Sequence, residues 1–182
     1  MKEFEDITFN EVVEFHGHAC PGLAVGYRMT REAMEYLNNN YRAEDEELVA
    51  IVENDACGTD AVQYLSGCTF GKGNFIFQDH GKMVYSFYFR KTGKAVRISR
   101  PTQARTKTEE MTWDEKIEWI LTGPKEEVVK IEEIDLNEPE YAKLYGNVIC
   151  DYCGETVMET RIIKKSDKNI CIPCTKKMNL SS

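Results

Sequence analysis

The chain has 182 residues, of which 42% are hydrophobic and 30% charged, and this composition excludes the disordered and collagen-like classes. The net charge of −8 is uneven, because residues 1–145 carry 17 Lys and Arg against 27 Asp and Glu, whereas residues 146–182 carry 6 against 4. An acidic core argues against broad binding of duplex nucleic acid, which requires a basic face.

Membrane insertion and disulfide cross-linking are also disfavoured. No segment approaches the roughly 20 apolar residues of a bilayer span, and the acidic N-terminal segment is unlike a signal peptide. Seven cysteines, four of them in paired C-x-x-C spacing, indicate metal or redox chemistry in a cytoplasmic protein. The length suits one core domain, residues 1–145, and a small module, residues 146–182.

The first predicted elements are two helices that flank a loop of possible ligands. Residues 7–15 have apolar positions at helical spacing, with Thr8 as a candidate N-cap and an end at Gly17. A longer helix begins at Pro21 and ends in residues 38–40. The loop between them carries His16, His18 and Cys20.

A second loop with polar side chains follows a predicted strand. Leu48–Glu53 has the apolar, β-branched pattern of a buried strand, and a brief helix capped by Thr59 is expected after it. The loop and the start of this helix carry Asp55, Cys57 and Asp60. Residues 67–74, with three glycines, predict a close backbone approach.

The rest of the core domain predicts an antiparallel hairpin, a helix and a returning strand. The hairpin joins residues 83–90 and 94–99, and Thr112 with Glu115 forms a capping box for the helix. Residues 128–134 are the returning strand, and a linker follows. This mixed order predicts an α+β fold, with a mixed, largely antiparallel sheet and packed helices.

A basic segment without carboxylates extends from His80 to Thr108. One interpretation is a solvated strand face that pairs with acidic residues elsewhere, and the other is an anion-binding or subunit-contact surface. Its cationic residues include Arg90, Lys91, Lys94, Arg97, Arg100, Arg105 and Lys107.

The C-terminal module contains two C-x-x-C pairs, Cys150 with Cys153 and Cys171 with Cys174, separated by 17 residues. This spacing is typical of a four-thiolate zinc site, and so small a module needs the ion to fold. A helix after Cys171 and a hairpin within residues 156–163 favour a treble-clef finger. The basic residues of the module permit nucleic-acid binding, but without interleaved aromatic residues we do not expect it.

The two polar loops of the core predict a second metal or thiolate site. His16 and His18 can face one side of the first loop, and the dipole of the helix that follows favours a Cys20 thiolate. Zinc, nickel or iron accepts imidazole, thiolate and carboxylate ligands together, so Asp55, Cys57 and Asp60 can complete the site, with Cys68 as a further candidate. The alternative is that these cysteines are buried apolar residues.

Three segments, Phe15–Gly22, Glu53–Gln63 and Gly67–Asn74, resemble the FmdE family, which is named after a component of formylmethanofuran dehydrogenase. The resemblance implies an α+β core, a frequent homodimer, an auxiliary treble-clef finger and a metal near the first loop. The matched positions for the core site are His18, Cys20 and Cys57. Secondary candidates are His16, Asp55 and Cys68.

The leading hypothesis is a metalloprotein of redox or one-carbon metabolism in an anaerobe, as an enzyme or as an accessory to a metalloenzyme or electron-transfer partner. Cys20 would be a ligand or nucleophile, His18 a ligand or base and Cys57 a further catalytic candidate. Arg97 and Arg100 would bind a small anionic ligand. The alternatives are a non-catalytic zinc-finger protein that regulates or assembles others, and a metal-trafficking protein.

Overall fold

A computed structural model describes residues 3–180. The chain divides into two compact units, Met1–Ala142 and Lys143–Ser182. The helices are α1 Phe9–His16, α2 Pro21–Tyr36, α3 Gly58–Ser66, α4 Thr102–Lys107, α5 Trp113–Thr122, α6 Lys125–Val128 and α7 Ile172–Leu180, with a 3₁₀ turn at Glu159–Arg161. The strands are β1 Leu48–Val52, β2 Phe75–Phe77, β3 Val84–Phe89, β4 Lys94–Ser99, β5 Lys130–Ile134, β6 Asn147–Ile149, β7 Thr156–Met158, β8 Ile162–Lys165 and β9 Lys168–Cys171.

The first unit contains a five-stranded sheet in the order β2-β1-β3-β4-β5. β1 and β2 are parallel, and the other neighbouring strands are antiparallel. The predicted α+β fold with a mixed, largely antiparallel sheet and packed helices is therefore confirmed. The pattern missed β2, because only three residues separate the glycine-rich segment from the next loop.

Local sequence signals set the ends of several helices. Thr8 and Glu11 form a capping box at α1, and Thr112 and Glu115 form the same arrangement at α5. α1 ends at Gly17, whose φ of 99° lies in the left-handed region that glycine adopts without steric cost. The predicted Thr59 cap is wrong: α3 begins at Gly58, and the Thr59 hydroxyl donates to the Ala56 carbonyl.

The core of this unit lies between the sheet and helices α2, α3 and α5. α2 contacts both other helices and strands β3 and β4, and Leu23, Met29 and Met34 on α2 are fully buried. Every residue of β1 and β3 is buried, which explains their nearly continuous apolar sequences. Complete burial of a large apolar side chain contributes about 1.5–3 kcal/mol, so α2 is the main organiser of this core.

α2 and α3 approach one another through two glycines. A Cβ built on Gly26 would lie 2.7 Å or less from three backbone atoms of Gly58. A Cβ on Gly58 would overlap the Tyr85 hydroxyl and lie 3.0 Å from the Gly22 carbonyl oxygen. Only glycine at both positions permits this helix contact, which brings the start of α3 beside the start of α2.

The second unit consists of two hairpins, β6-β7 and β8-β9, followed by α7. Strands occur between the two cysteine pairs, as the sequence predicts: Thr156–Met158 pairs with Asn147–Ile149, and Ile162–Lys165 pairs with Lys168–Cys171 in a second hairpin. Among residues 3–180, no helix has the length and apolarity needed to cross a bilayer.

Candidate metal centre

Four potential ligands meet where the start of α2 lies beside the start of α3. One ligand atom from each of His16, His18, Cys20 and Cys57 lies within 4.8 Å of the others. His16 is the last residue of α1, and Cys57 directly precedes α3. The two polar loops recognised in the sequence therefore supply one cluster.

His16 is oriented by a carboxylate. Its Nδ1 lies 2.7 Å from Oδ2 of Asp60, and only 12% of the His16 side chain is exposed. The other ring nitrogen, Nε2, is buried and has no hydrogen-bond partner. Because buried polar atoms are nearly always hydrogen-bonded, an unpartnered imidazole nitrogen beside two thiols and a second imidazole fits a metal ligand.

The two thiols of this cluster have different local environments. Cys20 is buried at the N-cap of α2, where its Sγ accepts a hydrogen bond from the Leu23 N–H at 3.2 Å. The Cys57 side chain makes no such capping bond to α3. Burial raises the pKa of Cys57, and the neighbouring Cys20 raises it further. A cation bound at this cluster would favour the thiolate form of Cys57.

The donor set is compatible with a metal ion. Tetrahedral zinc, with Zn–N near 2.0 Å and Zn–S near 2.3 Å, places its ligand atoms roughly 3.3–3.8 Å apart. Separations of at most 4.8 Å need only a small contraction. Two imidazoles and two thiolates suit zinc, and also nickel or iron.

The other sequence candidates for this site lie elsewhere. Asp55 is exposed, and it does not belong to the ligand cluster. Cys68 is fully buried, its thiol donates to the Leu48 carbonyl at 3.3 Å, and burial raises its pKa to about 12. The structure thus brings together His16, His18, Cys20 and Cys57, with Asp60 behind His16.

The glycine-rich segment has a supporting role. The Asn74 side chain accepts from the Thr69 N–H and donates to the carbonyls of Asp45 and Leu48, and the Lys72 ammonium donates to the Ala43 carbonyl. These bonds tie the segment to the chain that leads into β1.

A cleft of about 470 Å³ opens beside the core cluster. Cys20 and Cys57 form part of its wall, and His18 stands exposed at its edge. Its other lining residues come from α2, α4, α5 and adjacent loops: Pro21, Gly22, Ala56, Arg100, Arg105, Thr108, Glu109, Trp113 and Lys116. No sequence pattern indicated that Trp113 and Lys116 would line a functional cleft.

The arginines of the basic segment lie in two different environments. Arg97 pairs with Glu53 at 3.4 Å and with Glu132 at 3.8 Å across the sheet, so its charge is compensated outside the cleft. Arg100 lines the cleft instead and has no carboxylate partner among the described residues. Of the two arginines proposed for anion binding, Arg97 is paired with carboxylates and only Arg100 lines the cleft.

The second unit contains the four-cysteine cluster that its spacing predicts. The Sγ atoms of Cys150, Cys153, Cys171 and Cys174 all lie within 4.8 Å of one another, and those of Cys153 and Cys171 are 3.9 Å apart. Four thiolates around zinc are separated by about 3.8 Å. The cluster can therefore hold a metal ion.

The thiols of this cluster differ in their electrostatic environment. Backbone N–H groups, chiefly that of Cys153, lower the pKa of Cys150 to about 6. Burial and the neighbouring thiols raise the pKa of Cys174 to about 12. One thiolate is thus favoured by the backbone, whereas ionisation of all four depends on a bound positive charge.

A family model described as FmdE, molybdenum formylmethanofuran dehydrogenase operon, matches residues 15–155, which include the whole core cluster and the first cysteine pair. The chain belongs to the FmdE family. This confirms the resemblance drawn from the three sequence segments.

Two further proteins are similar to this chain. An FmdE-like protein of the tungsten formylmethanofuran dehydrogenase type from Syntrophus aciditrophicus has the same fold, with a TM-score of 0.70, 24% identity and coverage of 97% of this chain and 98% of that one. A probable S-adenosyl-L-methionine-binding protein from Archaeoglobus fulgidus is 32% identical over 189 residues, covering 88% of this chain and 50% of the relative. The chain thus spans about half the length of that relative.

Proposed function

We propose that this FmdE-family chain is a metalloprotein that binds a transition metal ion, with zinc as the best fit, through His16, His18, Cys20 and Cys57. The observation that carries the proposal is the buried, unpartnered Nε2 of His16 within a cluster of three other ligand atoms. Because the Asp60 carboxylate accepts a hydrogen bond from the His16 Nδ1–H, Nε2 is the nitrogen left to bind the ion.

A reactive role for this metal is supported by the accessibility of its ligands. The cleft reaches Cys20 and Cys57, and His18 is exposed, so one ligand can give way to a small molecule. A metal ion there would polarise a bound oxygen or sulfur atom. Cys20 and Cys57 would supply thiolate ligands or a nucleophile, and His18 a ligand or base.

For the C-terminal module we propose structural zinc in a treble-clef finger. The first cysteine pair lies in the β6-β7 turn, a second hairpin follows, and Cys174 lies in the first turn of α7. This order of turn, hairpin and helix supports a finger that is closed around its ion. Its four ligands leave no open position for chemistry.

The metabolic setting and the partners remain predictions from the family resemblance. They comprise redox or one-carbon metabolism of an anaerobe, a metalloenzyme or electron-transfer partner, and a homodimer. Nothing in the fold by itself supplies a substrate, since function resides in the site.

Metal trafficking is a second candidate, favoured by the exposure of His18. A delivery protein must release its ion, whereas a catalytic centre retains it. The transfer rate to an excess of a chromophoric chelator separates the two. Release from the core within the time of mixing would favour trafficking, and retention for hours would favour a resident metal.

Replacing Cys57 with serine should remove the core ion and leave the finger loaded, because serine is a poor zinc ligand. Elemental analysis of anaerobically purified protein should show about two equivalents of metal in the unmodified chain and about one in the variant. Cys68→Ser is the matched control, and it should retain both. Equal metal contents in the unmodified chain and Cys57→Ser would refute the core site.

Replacing Asp60 with asparagine should weaken core metal binding by roughly 10–100-fold without abolishing it. The asparagine loses the charge that holds the His16 Nδ1–H and stabilises metal-bound imidazole. Competition with a chromophoric chelator measures the affinity. Asp55→Asn, at an exposed carboxylate in the loop before α3, is the control, and an equal loss in both variants would contradict a specific role for Asp60.

A further inference from the structure

Three cations line the cleft beside the core centre without carboxylate partners. Among residues 3–180, no ion pair involves Arg100, Arg105 or Lys116, and the one carboxylate that lines the cleft, Glu109, pairs with none of them. Three other arginines of the same unit are paired with carboxylates: Arg28 with Glu32, Arg90 with Glu138 and Arg97 with Glu53. The charge in the cleft is therefore uncompensated in an otherwise acidic unit.

Arg100 is the most constrained of the three. Its Nη2 donates to the Ala104 carbonyl at 3.2 Å and to the Thr108 hydroxyl at 3.1 Å, while its Nε is buried without a partner. Burial lowers the pKa of Arg100, and the neighbouring Arg105 lowers it further. An anion in the cleft would relieve this repulsion and accept from the unused donors.

Trp113 supplies an aromatic wall to the same cleft. Its side chain is 60% exposed, and its Nε1 lies 3.4 Å from the Ala19 carbonyl, which links the ring to the loop that carries His18 and Cys20. An exposed indole offers a large flat surface on which a planar ring can stack. A tethered ring of this kind is a suitable platform for a ligand.

We propose that the cleft binds a planar aromatic compound bearing a phosphate or carboxylate. Its anionic group would contact Arg100, Arg105 and Lys116, and its ring would lie against Trp113. A cleft of about 470 Å³ has the size of a metabolite site. The inference rests on the proposed function in one respect: this compound would be the molecule presented to the core metal.

The charge of the cleft separates this ligand class from S-adenosylmethionine. That compound has an aromatic ring and a carboxylate, but its sulfonium and ammonium groups give it a net positive charge. Three uncompensated cations would repel it. We therefore expect aromatic anions to bind this cleft more tightly than S-adenosylmethionine.

The test is a titration of the full chain in the Trp119→Phe background, in which Trp113 is the one remaining tryptophan. The probes are AMP, nicotinate, adenosine, inorganic phosphate and S-adenosylmethionine, and the readout is Trp113 fluorescence together with calorimetry. We expect AMP or nicotinate to bind more tightly than the other three. Binding of AMP alone would identify a phosphate ligand, and binding of nicotinate alone a carboxylate ligand.

Charge-removal variants test the named contacts. Arg105→Gln and Arg100→Gln should each weaken binding of the preferred probe by about tenfold or more, because each removes a charge-assisted hydrogen bond to the anionic group. Arg105 is exposed, so Arg105→Gln keeps the test valid if Arg100→Gln fails to fold. Lys91→Gln, an exposed cation between β3 and β4 and outside the cleft, should leave binding unchanged.

The same titration in Cys57→Ser separates this inference from the metal proposal, because the cationic contacts do not require the ion. If the Cys57→Ser chain lacks core metal and still binds the probe, the ligand cleft is supported independently of the metal proposal. The ligand class would be overturned if neither aromatic anion binds more tightly than adenosine and phosphate, or if S-adenosylmethionine binds best. Unchanged affinity of Arg105→Gln for the preferred probe would refute the contact between Arg105 and the anionic group.

Discussion

Replacing Cys150 with serine is expected to abolish tight zinc binding by the C-terminal module and to unfold that module. Cys150 is buried, its Sγ accepts the Cys171 N–H at 3.3 Å, and it belongs to the four-thiol cluster. Apart from the cysteines, the buried core of the module among the described residues is Ile170, with Val157 and Met178 packed against it. So small an apolar core cannot stabilise the fold without the ion.

The expected size of this effect is large, because structural zinc contributes an apparent binding free energy of about 10–16 kcal/mol in small finger modules. Addition of a strong chelator to the unmodified chain should produce the same state. Amide hydrogen exchange read out by mass spectrometry should show loss of protection across residues 147–178, while β1 and β3 stay protected. Tyr152→Ala, at an exposed position between two ligands, is the control. Retained protection in zinc-free Cys150→Ser would contradict the prediction.

Replacing Gly26 with alanine should produce the largest loss of stability in the first unit. The new methyl group would overlap the Gly58 backbone, and backbone cannot move aside as a flexible side chain can. α2 and α3 would have to separate by roughly 1 Å to restore normal contact distances. We expect the free energy of unfolding to fall by about 3 kcal/mol, at the upper end of overpacking effects.

The same substitution should weaken the core metal site, although Gly26 contributes no ligand. Separation of the helices would move Cys57 away from Cys20, and a metal site is sensitive to displacements of this size. Thermal unfolding, with an expected decrease of roughly 10 °C in Tm, and core metal content are the measurements. Gly71→Ala, where a Cβ would meet nothing within 4 Å, is the control. Unchanged stability and metal content in Gly26→Ala would refute the role of this contact.

The proposed core metal and the proposed ligand cleft would together form one reaction site. The cluster supplies imidazole and thiolate groups at one end of the cleft, while the cations and Trp113 lie along its walls. Such a division between a reactive end and a binding wall is typical of small-molecule sites. The two experiments in which Cys57→Ser is used test these parts separately.

Features that depend on neighbouring residues could be predicted from the sequence. The capping boxes at Thr8 and Thr112 and the αL residue at Gly17 follow from hydrogen bonds within one helical turn. The two C-x-x-C pairs are equally local, because each turn presents two thiolates to one ion. The family's motifs also identified His18, Cys20 and Cys57 as core candidates without any coordinates.

Which of the candidate ligands lie close enough to share one metal ion depends on the tertiary fold. Asp55 and Cys57 lie two positions apart in the sequence, yet the geometry of the loop leaves Asp55 in solvent and turns Cys57 toward Cys20. Cys68 resembled a ligand in composition, but its position beneath β1 makes it a buried thiol bonded to a backbone carbonyl. These choices depend on long-range packing, which a pattern of residue types does not record.

The residues that line the cationic cleft also depend on long-range packing and could not be predicted from the sequence. Arg97 and Arg100 are three positions apart, and sequence reasoning assigned them one role, but the pairing of β4 with β5 places Arg97 beside Glu132. Trp113 and Lys116 enter the cleft because α5 packs on α2. The sequence thus determined the local chemistry of each loop and helix end, and the close approach of α2 and α3 at Gly26 and Gly58 decided how those pieces form a site.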